Sequence, residues 1–111
     1  MPPMKRNSNA VIQRIKSLKR KWAREGAPCH LCGQPISYDL PQGHPGAVEA
    51  DHVVPIAAGG HPLGECLAAH RLCNQTRQAM SIEEFKAKRN FRVDDTGKPT
   101  EIPEVKRPMK W

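Results

Sequence analysis

Two residue pairs in the 111-residue chain have the types and spacing of metal ligands: Cys29-His30-Leu31-Cys32 and His70-Arg71-Leu72-Cys73. Two residues between ligands allow one tight turn to present both side chains to the same ion. A structural zinc ion takes four sulfur or nitrogen donors in a tetrahedron. The spacing therefore assigns Cys29, Cys32, His70 and Cys73 to one structural Zn2+ site. Cys66 could replace His70 as the fourth ligand, although Cys66 and Cys73 do not make a two-residue turn. Otherwise Cys66 packs as a small buried apolar residue. A redox role for Cys29 and Cys32 is the other alternative, but no βαβ pattern surrounds them. His30 falls inside the turn and is expected to be a bystander.

Between the two pairs runs Glu49-Ala50-Asp51-His52-Val53-Val54-Pro55, and Asn74 directly follows Cys73. Hydrolysis of a phosphodiester needs an activated water, charge stabilisation at the phosphate and help for the leaving oxygen. A neutral His is a suitable base near pH 7. A carboxylate and an amide oxygen can together hold a hard divalent ion. Asp51 and His52 are adjacent, and adjacent side chains on a strand face opposite sides. Both reach one site only if the strand bends or ends there, which Pro55 favours. Glu49 is a further carboxylate near the site, and a solvated strand residue is the reading preferred for it.

In this order, the Cys-x-x-Cys, Asp51-His52-Val53-Val54-Pro55, Gly59-Gly60 and His70-Arg71-Leu72-Cys73-Asn74 resemble an HNH endonuclease, over residues 28–78. The chain most resembles the small zinc-containing HNH proteins of phages and bacteria. The resemblance implies a small α+β fold built on the ββα-metal (His-Me finger) unit, a hairpin followed by a helix, with a zinc knuckle clamp. It implies that His52 is the general base and that Asp51 and Asn74 hold the catalytic ion, Mg2+ or another divalent ion such as Mn2+ or Ni2+. The implied activity is metal-dependent cleavage of DNA. Counting back from Cys73 puts Glu65 near the position where the family usually has an Asn that bonds the backbone across the loop, and an ionised carboxylate cannot donate such a bond. Two alternatives carry the same residues less far: a non-catalytic zinc module that binds nucleic acid, and an accessory nuclease active only inside a phage DNA-packaging (terminase) complex.

The elements that must position these residues follow from periodicity and breakers. Val11, Ile12, Ile15, Leu18 and Trp22 recur at helical spacing, so a helix is expected from Asn9 to Arg24, capped by Ser8 or Asn9 and ended by Gly26 and Pro28. Its other face is basic: Arg14, Lys16, Arg20, Lys21 and Arg24. With Arg71 and Arg77 it supplies candidate phosphate contacts. Residues 47–54 read as a short strand, and residues from about 64 to 79 as a helix containing Leu67, Ala68, Ala69 and Leu72. Ser81-Ile82-Glu83-Glu84 is a capping box opening a helix to about Asn90. The organisation expected is a basic arm and helix over 1–27, the zinc-stabilised nuclease domain over 28–90, and an extended or mobile tail over 91–111.

Composition agrees with this. Apolar residues make up 38% of the chain, aromatics only 5%, and Gly and Pro contribute 8 and 11 residues. A core this small usually needs a metal, a disulfide or a partner. The formal charge of +7 favours a polyanionic partner such as nucleic acid over a merely solubilising surface charge. No apolar run is long enough to span a membrane, and Met1–Arg6 is basic without an apolar stretch after it. The expected compartment is the cytoplasm of a bacterial cell or phage-infected host, where thiols stay reduced and bind metal.

Overall fold

The computed structural model describes residues 8–78, 80–94 and 97–101, with Ala57 as backbone only. The first element is helix α1, Asn9–Glu25. Ser8 caps it by accepting the Val11 N–H, and Gly26 ends it in the left-handed conformation at φ 65°. That conformation has no Cβ penalty only in glycine. Val11 and Trp22 are buried from one face of α1, and Lys16, Arg20, Lys21 and Arg24 stay exposed on the other.

Strand β1, Val48–His52, pairs antiparallel with strand β2, Cys66–His70, in the register Val48↔His70 through His52↔Cys66. The loop between them carries a single 3-10 turn, Ile56–Ala58, closed by Gly59 at φ 97°. Any Cβ on Gly60 would run into the Val54 carbonyl, so the Gly59-Gly60 pair is demanded by the turn. The Val53 N–H donates to the Glu65 carbonyl at 2.9 Å and carries the pairing one step past the strands.

The expected helix from 64 to 79 is only half correct. Residues 66–70 are strand, and helix α2 spans Arg71–Arg77. The reason is tertiary. Leu and Ala favour helix locally, but one edge of β2 pairs with β1 while Ala68 O also accepts the His30 N–H at 3.0 Å. The start of α2 is likewise satisfied from afar: Arg71 N–H donates to Ala47 O and Leu72 N–H to Pro45 O, both at 2.8 Å. Those are amides that a helix cannot satisfy within itself.

Helix α3, Ile82–Lys88, starts at Ser81, whose hydroxyl accepts the Glu84 N–H at 3.0 Å, as the capping box predicts. Strands β3, Phe91–Val93, and β4, Pro99–Glu101, form a second antiparallel hairpin. The composition predicts extended or mobile chain here. Val93 is instead fully buried, its backbone hydrogen-bonds Cys32, and the Phe91 ring meets Phe85 edge-on at 6.4 Å. Residues 1–7 and 102–111 of the expected arm and tail lie outside the described residues. The architecture is thus small α+β, with three helices and two two-stranded sheets among the described residues. Its core holds Trp22 and Phe85 as buried aromatics, but several of its other members are Cys and Ala. No helix among the described residues is long and apolar enough to cross a membrane.

Candidate functional site

The knuckle forms because Gly33 can adopt φ 80° and return its N–H to Cys29 O at 2.9 Å. The other ligand pair straddles the junction of β2 and α2: His70 is the last residue of the strand and Cys73 lies in the first turn of the helix. Antiparallel pairing and the His30–Ala68 bond bring the halves together. The ligand atoms of Cys29, Cys32, His70 and Cys73 all lie within 4.8 Å of one another, and all four residues are buried.

The donor chemistry fits zinc. His70 Nε2 donates to Pro35 O at 3.0 Å; a carbonyl only accepts, so Nδ1 is left to face the sulfurs, 3.3 Å from Cys32 Sγ and 3.9 Å from Cys73 Sγ. Tetrahedral zinc bonds set neighbouring ligand atoms roughly 3.5–3.8 Å apart. The N–H groups of Cys32 and His70 both point to Cys29 Sγ, at 3.5 and 3.4 Å, as they do toward a thiolate. Without an ion, protons are shared unevenly. Hydrogen bonds from Cys29 and Cys73 drive the Cys32 thiol down, while those to Cys29 and Cys32, with burial, drive Cys73 up. Burial alone would lower His70, but Cys29 and Cys32 outweigh it and hold the imidazole up to about 10. Metal capture would therefore release protons from Cys73 and His70, the groups held up. Cys66 is not part of the cluster. Burial pushes its thiol up, and its S–H donates to Gly64 O at 3.5 Å.

Beside the cluster lies a groove of about 890 Å³, walled by Val11, Ile15 and Lys19 of α1 and floored by Glu49, Asp51, His52 and Asn74. Adjacent Asp51 and His52 both reach it because β1 ends at His52. His52 Nε2 donates to Pro62 O at 2.9 Å, so Nδ1 keeps the lone pair. This orienting carbonyl comes from Pro62. Glu65 is exposed, and its part in the hairpin is its own backbone carbonyl.

Asp51 is buried, and its Oδ2 accepts from Arg77 Nη1 at 2.6 Å and from His30 Nε2 at 2.7 Å. Asn74 Nδ2 donates to Glu49 Oε1 at 3.0 Å, which leaves the amide oxygen of Asn74 as an acceptor. Arg71 Nε closes the row on Glu49 Oε2 at 3.3 Å and stays partly exposed.

Several residues stand differently from the sequence reading. Arg77, expected at a phosphate, is turned inward and 1% exposed. Besides Asp51, it donates to His52 O at 3.1 Å, Val53 O at 2.7 Å and Met80 O at 2.9 Å. A guanidinium so occupied and so buried braces the strand end and does not face the surface that DNA would reach. Glu49 is no mere solvated strand residue, since it holds Asn74. Its position two residues before Asp51, on the same strand face, is a signal that could have found it. His30 is not a bystander, but nothing in its local sequence ties it to Asp51.

Arg77→Met is expected to lower unfolding free energy by about 3–5 kcal/mol, because it takes the guanidinium from a buried carboxylate, leaving it only His30, and empties three carbonyls. Urea denaturation of the zinc-loaded chain checks this, and a loss below about 1 kcal/mol would contradict the bracing role.

Comparison with protein-family models, with curated proteins and with solved structures returns no match for this chain.

Proposed function

We propose that this protein is a metal-dependent endonuclease that hydrolyses DNA phosphodiester bonds, with the residue roles of an HNH enzyme. The observation that carries the reading is the state of His52: its Nε2–H is committed to Pro62 O, which leaves Nδ1 as the other ring nitrogen, and His52 lines one groove with Asp51 and Asn74. An imidazole held in one tautomer by a backbone carbonyl is a prepared base.

In the proposed reaction, His52 Nδ1 takes a proton from water as the water oxygen bonds to phosphorus. The bond from phosphorus to the 3′ oxygen breaks, and that oxygen leaves with a proton from solvent. The Asp51 carboxylate and the Asn74 amide oxygen are hard donors suited to a divalent ion, which when bound would stabilise negative charge on the phosphate and the leaving oxygen. Glu49 orients the Asn74 amide by accepting from its Nδ2. Lys19 on the groove wall and the exposed Lys16 and Arg20 are placed to neutralise phosphates of a bound strand. The zinc cluster acts through geometry, since Cys73 precedes Asn74 on α2 and Cys29 precedes His30, the partner of Asp51.

The test is a supercoiled-plasmid assay with purified full chain across Mg2+, Mn2+ and Ni2+, run with Asn74→Ala alongside. Nicking or linearisation that requires a divalent ion, and that Asn74→Ala weakens at least tenfold, is expected. A protein that shifts DNA in gels but cuts it with none of these ions would be a zinc module that binds nucleic acid without catalysis.

A further inference from the structure

Both hydrogen-bond donors to Asp51 reach the same oxygen, Oδ2, and both come from residues that do not line the groove. Asp51 itself does line it. Both grips therefore come from outside the groove, and both are on Oδ2 rather than Oδ1. One of the two grips comes from the zinc turn, because His30 directly follows the ligand Cys29.

We infer that His30 is a positioning residue for the divalent ion held at Asp51, so that the zinc turn sets the orientation of the carboxylate that binds it. The inference rests on the nuclease reading above for the identity of that ion's site. His30 has little freedom of its own. Its chain is pinned between Cys29 and Cys32, its N–H is bonded to Ala68 O at 3.0 Å, and its side chain is 15% exposed. The backbone that carries the ring is thus tied to β2. Arg77 reaches Oδ2 from α2, on the opposite side of the sequence. A single donor fixes a distance and leaves the carboxylate free to rotate about its last torsion. Two donors anchored on different elements fix the plane as well. His30 is not a direct ligand in this arrangement, since it lies outside the groove that Asp51, His52 and Asn74 share.

The experiment uses the zinc-loaded full chain as wild type, His30→Ala, His30→Gln and Asp51→Asn. Mn2+ binding is measured by calorimetry without DNA, and plasmid cleavage is measured against Mn2+ and against DNA. His30→Ala should keep its zinc and weaken Mn2+ binding about 10–100-fold, the usual cost of losing a partner that orients a metal ligand. At saturating Mn2+ its KM for DNA should be unchanged. His30→Gln, whose amide can still donate to Oδ2, should recover most of the affinity, and Asp51→Asn should abolish it.

Mn2+ binding by His30→Ala equal to wild type overturns the inference. So does zinc loss in both His30 variants, which would make the residue a structural part of the knuckle. A wild type that binds Mn2+ through Asp51 but cuts no DNA overturns the nuclease reading while the His30 result stands on binding alone. A wild type that cuts, with His30→Ala unchanged in its Mn2+ dependence, overturns only the positioning role. A wild type that binds no Mn2+ overturns both.

Discussion

Cys73→Ser is expected to release the zinc ion and abolish the cooperative unfolding transition of the domain. Several core residues here are themselves able to hold a metal ion: Cys29, Cys32 and Cys73 sit in the main apolar cluster beside Trp22, Leu31 and Phe85. Apparent binding free energies of structural zinc in small domains run to about 10–16 kcal/mol. Whole domains of this size are stable by about 5–15 kcal/mol. Losing the ion therefore removes an amount comparable to the entire stability, and leaves three buried groups that repel or compete for protons. An ion on these ligands would also tie the turn at 29–32 to the start of α2 at 70–73.

The checks are metal analysis and thermal melts followed by circular dichroism, on Cys73→Ser and on wild type treated with a chelator and then reloaded. Cys66→Ala should keep a full equivalent of zinc, since Cys66 lies outside the cluster. Zinc affinity should fall as the pH is lowered, because the thiols and His70 bind metal only after losing their protons. A Cys73→Ser chain that retains its zinc and melts like wild type would refute the clamp.

The second large effect is expected from His52→Ala, which should slow DNA cleavage by about 10²–10⁴-fold, the usual contribution of a positioned general base. Zinc content and melting temperature should change little. The His52 ring is half-buried, and its one hydrogen bond goes to the loop carbonyl of Pro62. Removing it costs a modest contact at the edge of the fold and leaves the zinc cluster and the Asp51–Arg77 pair intact. Single-turnover cleavage of plasmid at saturating metal is the appropriate measurement, because it separates the proton-transfer step from DNA binding. Cleavage by His52→Ala at the wild-type rate would remove the basis for assigning the base, whatever the metal dependence.

These two expectations draw on different kinds of information. The Cys/His cluster able to hold zinc is legible in the amino-acid sequence alone, because each pair is a local object: two donors separated by two residues make one turn. The caps are legible for the same reason. Ser8 and Ser81 serve amides three residues on, and Gly26 ends α1 by its own backbone freedom. Type and short spacing suffice wherever partners lie within about one turn of each other.

The groove is legible only in part. Asp51, His52 and Asn74 stand out in the sequence by residue type and do line one groove. What holds them there is not readable from local pattern. His30 to Asp51 spans 21 positions, Asn74 to Glu49 spans 25 and Arg77 to Asp51 spans 26. Contacts at such separations depend on how β1, the zinc turn and α2 come together, and no short stretch of residues records that. The same cause makes residues 66–70 strand where their composition favours helix, since the hydrogen bonds of β2 go to β1 and to His30. It also turns Arg77 from the surface to the interior.

By itself, then, the sequence determined the Cys/His set able to hold zinc, the capped helices and the residue types suited to acid–base and metal chemistry, because those depend on side-chain type at short range. Only the tertiary structure decided that Asp51 is held by His30 and Arg77, that Asn74 is oriented by Glu49 and that His52 is turned by Pro62. Each of those is a directional hydrogen bond between segments distant in the chain, and its geometry exists only once the segments are packed.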